Sequence, residues 1–408
     1  MRGAVYVLAV SSENGPRTTT DLDRLRAILR RKFPVWRDEA LGHFVLTRHD
    51  DVRALLADRS LLKDPAKAAP ESIIMQAQLG GPPEGLAYHT AQDSLLRMDD
   101  PRHSQIRTPL AQAFYKRVAG ARGLIEAAVE RILHELDGRT HFDAMAEFCI
   151  PVPIDVIARI LGADPSMRDE FRSWSVDVFE VHNPERTAEQ TERMVAASNN
   201  LCAYIDDLMK RRQKAPEDDL VSDLMTARAG GSALTDAEIL ENCTSLLVAG
   251  NLSTTDLIGN GLWLLHTHAS EKQKLLEDPG LITNAIEEIL RYEPPAEGTS
   301  RIAPRDMEIR GCPIKHSQVV VTSLRGANRD PEAFAEPDRF DISRKHLPHV
   351  SFGGGSHICI GAPLARMEAQ VAIAAFLRHF PAAVLEDATP AWRTLAAVRG
   401  LSRIDMRV

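Results

Sequence analysis

A chain of 408 residues with a net charge of −8 lacks the basic surface that a nucleic-acid binder carries. With 44% hydrophobic and 26% charged residues it has the composition of a soluble globular protein, and its length admits one large domain as readily as several average ones. Five cysteines, at 149, 202, 243, 312 and 359, are odd in number, far apart and without a CxxC pair, which suits a reducing compartment better than a disulfide framework.

The N-terminal apolar run Ala4–Val10 is far short of the ~20 residues a membrane span needs and lacks a small-residue cleavage site. A cytoplasmic protein without a membrane partner is therefore expected. Asp21–Phe33 has the spacing of a charged helix with Leu22, Leu25, Ile28 and Leu29 on one face. Phe44–Thr47 reads as a strand, and Asp50–Leu56 as a short capped helix. Leu61–Tyr88 is rich in Pro, Gly and Ala and has little periodicity. So long a loop in a compact domain is usually functional, here a substrate-access loop.

Helices are predicted over Asp100–Arg117 and Ala119–Leu136, then over Pro165–Phe179 and Glu185–Arg212, with a short segment at Asp218–Thr226. Thr235-Asp236-Ala237-Glu238 fits a capping box and opens the longest apolar helix, with Ile239, Cys243, Leu246, Leu247, Gly250, Thr254, Leu257, Ile258, Gly261 and Leu265 on one stripe. A further helix, Leu281–Tyr292, stops at Pro294-Pro295. Gln318–Val321 reads as a strand, and Asn328–Pro348 as an irregular, Pro- and charge-rich stretch. The pattern is mainly α with small β-sheets, in a single domain over residues 1–408, with 1–20 an N-terminal segment.

Beyond it lies Phe352-Gly353-Gly354-Gly355-Ser356-His357-Ile358-Cys359-Ile360-Gly361, followed by a helix opening near Pro363. Consecutive glycines allow a tight turn with converging N–H groups, and a helix start adds its positive dipole end. A cysteine held there is biased towards thiolate and suited to bind a metal. The spacing Phe-x-x-Gly-x-x-x-Cys-x-Gly (Phe352, Gly355, Cys359, Gly361) resembles the haem-ligand loop of the cytochrome P-450 family.

The resemblance covers the chain from about Asp21 to its end. It implies the cytochrome P-450 fold, with haem b between the long central helix and the cysteine-ligand helix and Cys359 as its iron ligand. Phe352 would shield the sulfur, the Gly353–Gly355 backbone would moderate its electron donation, and Gly361 would follow the ligand closely. His103, Arg107, Arg301 and His357 match residues that bind haem propionates; two buried carboxylates need cationic partners. Glu288 and Arg291, three apart on a helix, match the family's structural network, with Arg339 as third member.

Within the central helix, Ala249 and Gly250 match the small residues that leave room for dioxygen. The position of the oxygen-activating alcohol holds Ser253, with Thr254 next to it. The acid position before it holds Leu252, which cannot relay a proton; Asp256, Asn251 or water takes its place, or oxygen is used differently. The implied activity is a haem-thiolate monooxygenase that inserts one oxygen atom of O2 into an apolar small molecule. Electrons would come from a ferredoxin and its reductase, docking on basic residues such as Arg102, Lys116, Arg117, Arg366 and Arg378, and the enzyme would be a monomer. Apolar pocket candidates are Ile73, Ile74, Met75, Val178, Phe179, Leu246, Val248 and Leu252, with Gly298 between Ala296 and Ser300. The missing acid leaves a peroxide-driven or non-oxygenating haem-thiolate enzyme as the alternative, and a haem-based sensor as a further one.

Overall fold

Thr235 opens the longest helix as its sequence predicts. Its hydroxyl accepts from the Glu238 N–H at 3.2 Å, while the Glu238 carboxylate accepts from the Thr235 N–H at 2.8 Å, so two otherwise orphaned donors are satisfied. The computed structural model describes residues 27–39, 41–72, 84–88, 91–183, 185–393, 395 and 397–408. Ile73, Ile74 and Met75, expected in the access loop, lie outside the described residues.

The helices are α1 (27–32), α2 (His49–Ala57), α3 (Arg102–Ala119), α4 (Arg122–Glu135), α5 (Pro151–Leu161), α6 (Arg168–Phe179) and α7 (Ala188–Lys214). After them come α8 (Leu220–Ala229), α9 (Asp236–Thr267), α10 (Ala269–Glu277), α11 (Ile282–Tyr292), α12 (Leu324–Asn328) and α13 (Ala362–His379). α9 is the spine. It is apolar and buried round most of its circumference, and α5, α6, α7, α11 and α13 all pack on it around one large core.

Four strands, β1 (Val35–Asp38), β2 (His43–Leu46), β4 (Gly298–Ile302) and β7 (Val319–Ser323), form a sheet in the order β1-β2-β7-β4, with β2 and β7 parallel and the other pairs antiparallel. A second apolar cluster joins this sheet to α2 through Phe44, Leu46, Val52, Leu55, Leu56 and Val320. Smaller sheets pair β3 (His141–Asp143) with β11 (Asp405–Arg407) and β8 (Val384–Leu385), β5 (Met307–Ile309) with β6 (Cys312–Ile314), and β9 (Ala391–Trp392) with β10 (Leu401–Arg403).

The architecture is the expected one, mainly α with small sheets. One local reading is corrected, and one helix is added. α2 has Arg48 at its N-cap with no side-chain bond; the first N–H, of His49, instead donates to Asp330 Oδ2 at 2.9 Å, a cap supplied from far along the chain. α5 is a helix beyond those predicted from the sequence, and all of its residues but Arg159 are buried. No helix among the described residues is long and apolar enough to cross a membrane.

Candidate functional site

The glycine-rich loop is shaped by close packing. Gly353 and Gly355 take φ of +70° and +66°, and a Cβ on Gly355 would overlap the Leu56 carbonyl oxygen at the end of α2. The Gly353 N–H closes a turn onto the Val350 carbonyl at 2.8 Å, and the Cys359 N–H donates to the Phe352 carbonyl at 2.9 Å. The N–H groups that reach the Cys359 sulfur are those of Gly361 and Ala362, at the start of α13, and not those of Gly353–Gly355. Thiolate moderation therefore falls to the helix end, while the glycine run serves to fit α2.

Cys359 is accessible yet recessed among protein groups. Burial raises its thiol pKa, against the two backbone N–H donors, Arg107 and Arg366. Desolvation opposes the expected bias towards thiolate, and a coordinated metal cation would favour it.

Three segments bring cationic and imidazole groups together beside this loop. Arg107 on α3 donates to the Ile358 carbonyl at 2.6 Å, and Arg301 on β4 donates to the Gly354 carbonyl at 3.4 Å. The His103 and His357 rings face each other with centroids 4.0 Å apart. His103 is buried with neither ring nitrogen hydrogen-bonded, and its nearest carboxylate oxygen, Asp100 Oδ1, is 3.7 Å away. The pKa of His357 falls to about 2, first through burial and then through His103, Lys63, Arg301 and Arg107. Orphaned ring nitrogens among mutually repelling cations fit a group that brings carboxylates, as haem does.

α9 turns one narrow face to open space. Ala249 is exposed and Ser253 partly so, although Leu247, Asn251 and Leu252 around them are buried. At 100° per residue, Leu246, Ala249, Gly250 and Ser253 share that face. The Ser253 hydroxyl donates to the Ala249 carbonyl at 2.8 Å. A Cβ on Gly250 would lie 3.4 Å from Ile157 of α5, so this glycine also admits a neighbouring helix.

Four sequence assignments on or near α9 are corrected. Thr254 is turned aside and buried. Val248 and Leu252 belong to the core rather than to a pocket, Leu252 being 1% exposed. Gly298 lies under Thr322, whose carbonyl would be 2.6 Å from an added Cβ, and lines a small cavity with Trp36, Asp38 and His43 of the sheet. Val178, Phe179 and Leu246 remain half-buried, packed on the core rim.

The candidates to replace the missing acid are both engaged. Asn251 Oδ1 accepts from Arg172 at 3.0 Å and its Nδ2 donates to Ser175 Oγ at 3.1 Å. Asp256 is buried with both oxygens on Arg393, at 3.0 and 2.7 Å. Burial lifts its pKa to about 6 against the pull of Arg393 and Arg172.

The scaffolding network exists with a different third member. Glu288 and Arg291 are fully buried and form two bonds of 2.7 Å; Arg291 also donates to the carbonyls of Asn328, Pro337 and Arg339. Arg339 offers only its carbonyl: its guanidinium is 55% exposed and turned to Glu336. The second guanidinium on Glu288 belongs to Arg344, at 3.4 Å. Four residues separate the two arginines in an irregular stretch, and no sequence period says which one turns inward.

Most of the basic residues expected to dock a ferredoxin are paired within the chain. Arg102 binds Glu238, Lys116 and Arg117 bind Asp223, and Arg366 binds Glu287 while its guanidinium lies 4.4 Å above the Phe352 ring. Of the five, Arg378 alone has its charge uncommitted among the described residues. Sequence reasoning missed two further cations, Lys63 and Arg97, because single basic residues in irregular segments carry no spacing signal.

The cytochrome P450 family model matches residues 80–396. Cytochrome P450 107B1 of Saccharopolyspora erythraea is 36% identical over 90% of this chain and 89% of that protein. The 6-deoxyerythronolide B hydroxylase of the same organism is 35% identical over 95% and 96% respectively. The solved structure of myxobacterial cytochrome P450 CYP267B1 in complex with myristic acid matches with a TM-score of 0.86 at 33% identity, covering 94% of this chain and 96% of that one. On these matches the chain belongs to the cytochrome P450 family: it is a P450 monooxygenase whose cofactor is haem b with a cysteine-ligated iron.

Proposed function

We propose that the protein inserts one oxygen atom of O2 into an apolar small organic molecule in the cytoplasm, with electrons from a separate ferredoxin and ferredoxin reductase. The observation that carries this reading is the open face of Ala249 and Ser253 in a helix otherwise largely buried, together with an accessible Cys359 just before α13. Bound haem supplies the activation of dioxygen and the oxidation of a C–H bond. Cys359 would hold the iron, with the Gly361 and Ala362 N–H groups tempering the sulfur. Phe352, under Arg366, would shield it.

Arg107, Arg301, His103 and His357 would hold the propionates. Ala249 leaves room for a diatomic ligand, and Ser253 Oγ, bonded to the Ala249 carbonyl, can turn to hold a proton at that point. Leu246, Val178 and Phe179 would exclude water from the substrate. The test is the reduced carbon monoxide spectrum of purified wild-type protein and of Cys359→Ala. A thiolate-type spectrum lost in the variant is expected; a thiolate spectrum in Cys359→Ala would overturn the ligand assignment.

A second reading, peroxide-driven turnover, is favoured by one observation: Leu252 is apolar and buried, and Asp256 is held by Arg393. Turnover with hydrogen peroxide equal to that with ferredoxin and reductase would establish it; peroxide turnover at trace level would exclude it.

A further inference from the structure

Two cations beside the site take no part in the carboxylate cradle. Lys63 follows α2; its Nζ donates to Thr299 Oγ1 at 3.3 Å and to the Ser300 carbonyl at 3.4 Å, both on β4 next to Arg301. Its backbone N–H donates to Asp99 Oδ1 at 2.6 Å. Two residues before Asp99 comes Arg97, on a strap pinned to α9. Leu95 N–H donates to Asn242 Oδ1 at 3.0 Å, Asn242 Nδ2 donates to the Asp93 carbonyl at 3.0 Å, and Ser94 and Ser245 hydroxyls lie 3.5 Å apart. Ser245 and Ala249 are one turn apart, so the strap crosses α9 beside its open face. Leu96, next to Arg97, is 61% exposed although its neighbour Leu95 is buried, which sets this part of the strap against open space.

Among the described residues the Arg97 guanidinium makes no hydrogen bond or ion pair. Among the described residues, the anion that bears on its charge is Glu241, whose Oε1 already accepts from Ser245 Oγ at 3.1 Å. Burial pulls the Arg97 pKa down, and it takes Lys63 to about 7, with Arg301 and Arg97 adding to the fall against Asp99. Neighbourhood separates the groups. His357 is influenced by Lys63 together with His103, Arg301 and Arg107, whereas His182, in the segment after α6 and 4.7 Å from the Phe179 ring, is influenced by Arg97 and Lys63 and by none of the cradle. Lys63 therefore stands beside the cradle on β4, while Arg97 stands on the strap bonded to Asn242 of α9, on the side of the segment after α6. Porphyrin would bring two carboxylates, for which Arg107, Arg301, His103 and His357 would be the partners.

We propose that Arg97, backed by Lys63, binds an anionic group of the substrate, a carboxylate on an otherwise apolar molecule. A planar guanidinium takes a carboxylate through two parallel bonds, so the acid end would be fixed in position as well as neutralised. The apolar remainder would lie along Leu246, Val178 and Phe179 towards Ala249. Oxidation would then fall at a set distance from the acid. The inference rests on the haem-thiolate reading, which supplies the floor of the same space.

The test uses haem-loaded enzyme and a series of ω-imidazolyl alkanoic acids of increasing arm length, each beside its methyl ester. The imidazole ligates the iron in every case, so the acid-to-ester affinity ratio reads the arm alone. At the best arm length wild-type enzyme is expected to favour the acid by roughly ten- to a hundredfold, the range of a charge-assisted bond pair. Arg97→Leu is expected to bring the ratio near one with haem content and carbon monoxide spectrum unchanged. Arg97→Lys, which keeps the charge and loses the fork, is expected to fall between them. Equal affinity of acid and ester in wild-type enzyme overturns the proposal. So does haem loss in Arg97→Leu with the ratio retained, since that would give Arg97 to the porphyrin. A protein without the thiolate-type carbon monoxide spectrum would instead fail the underlying reading.

Discussion

Three arginine-to-alanine substitutions within one segment network should differ by an order of magnitude in their effect on stability. Arg291→Ala would strip Glu288 of two 2.7 Å bonds and leave its carboxylate, fully buried, with only the Asp341 N–H at 2.9 Å and Arg344 at 3.4 Å. Breaking a buried pair from one side costs about 3–5 kcal/mol. Three stranded carbonyls, of Asn328, Pro337 and Arg339, add roughly 0.5–1.5 kcal/mol each. The sum approaches the roughly 5–15 kcal/mol that holds a typical domain folded, so this variant should fail to accumulate with haem. Arg344→Ala removes the weaker ion pair and bonds to the Ala335, Glu336 and Arg339 carbonyls near the surface; about 1–3 kcal/mol is expected. Arg339→Ala removes an exposed guanidinium and should stay within about 0.5 kcal/mol. Urea unfolding followed by Soret absorbance and far-ultraviolet circular dichroism ranks the three. An Arg339→Ala shift as large as that of Arg344→Ala, or a native-like Arg291→Ala, would refute the network as drawn.

Gly355→Ala forces a left-handed φ on alanine and drives its Cβ into the Leu56 carbonyl, so the haem-loaded fraction of purified protein should fall severely, whereas Gly361→Ala, 3.8 Å from the Cys359 sulfur, should retain haem and change only its spectrum. Ser253→Ala should release peroxide and lower product per oxygen consumed roughly tenfold or more, while Thr254→Ala leaves the ratio near wild type because that side chain is buried; equal coupling in both variants would remove Ser253 from proton handling. Asp256 has a folded pKa of about 6 against an ordinary 3.8. Between those values the folded state holds a proton that the unfolded state has lost, so its contribution to stability is complete below the lower value and disappears as pH rises through the upper one, by roughly 3 kcal/mol. Unfolding free energies of Asp256→Asn measured across that window should rise relative to wild type with increasing pH; parallel curves would contradict the raised pKa.

Short-range chemistry was legible wherever it repeats along the chain. The capping box at Thr235, the apolar stripe of α9, and the helices α3, α4, α6, α7 and α11 follow from spacing, since a helix sums one preference over many residues. The small strands were mostly illegible. β5 or β6 spans three residues, too few for alternation to show, and each is stable only because its partner is there. Likewise the cap of α2 comes from Asp330, which no reading of residues 48–52 could supply.

What the sequence determined by itself was the family and the identity of the cysteine loop, because the loop packs its requirements into ten consecutive positions: a tight turn, a sulfur and a helix start. Only the tertiary structure decided which long-range partners those elements meet. It turned Arg344 inward and Arg339 outward, buried Leu252 and Thr254 while exposing Ala249, and pinned the strap that carries Arg97 to α9 through Asn242. Spacing fixes the side of an element on which a residue stands; which side is covered, and by whose charge, depends on elements hundreds of residues away that pack against it.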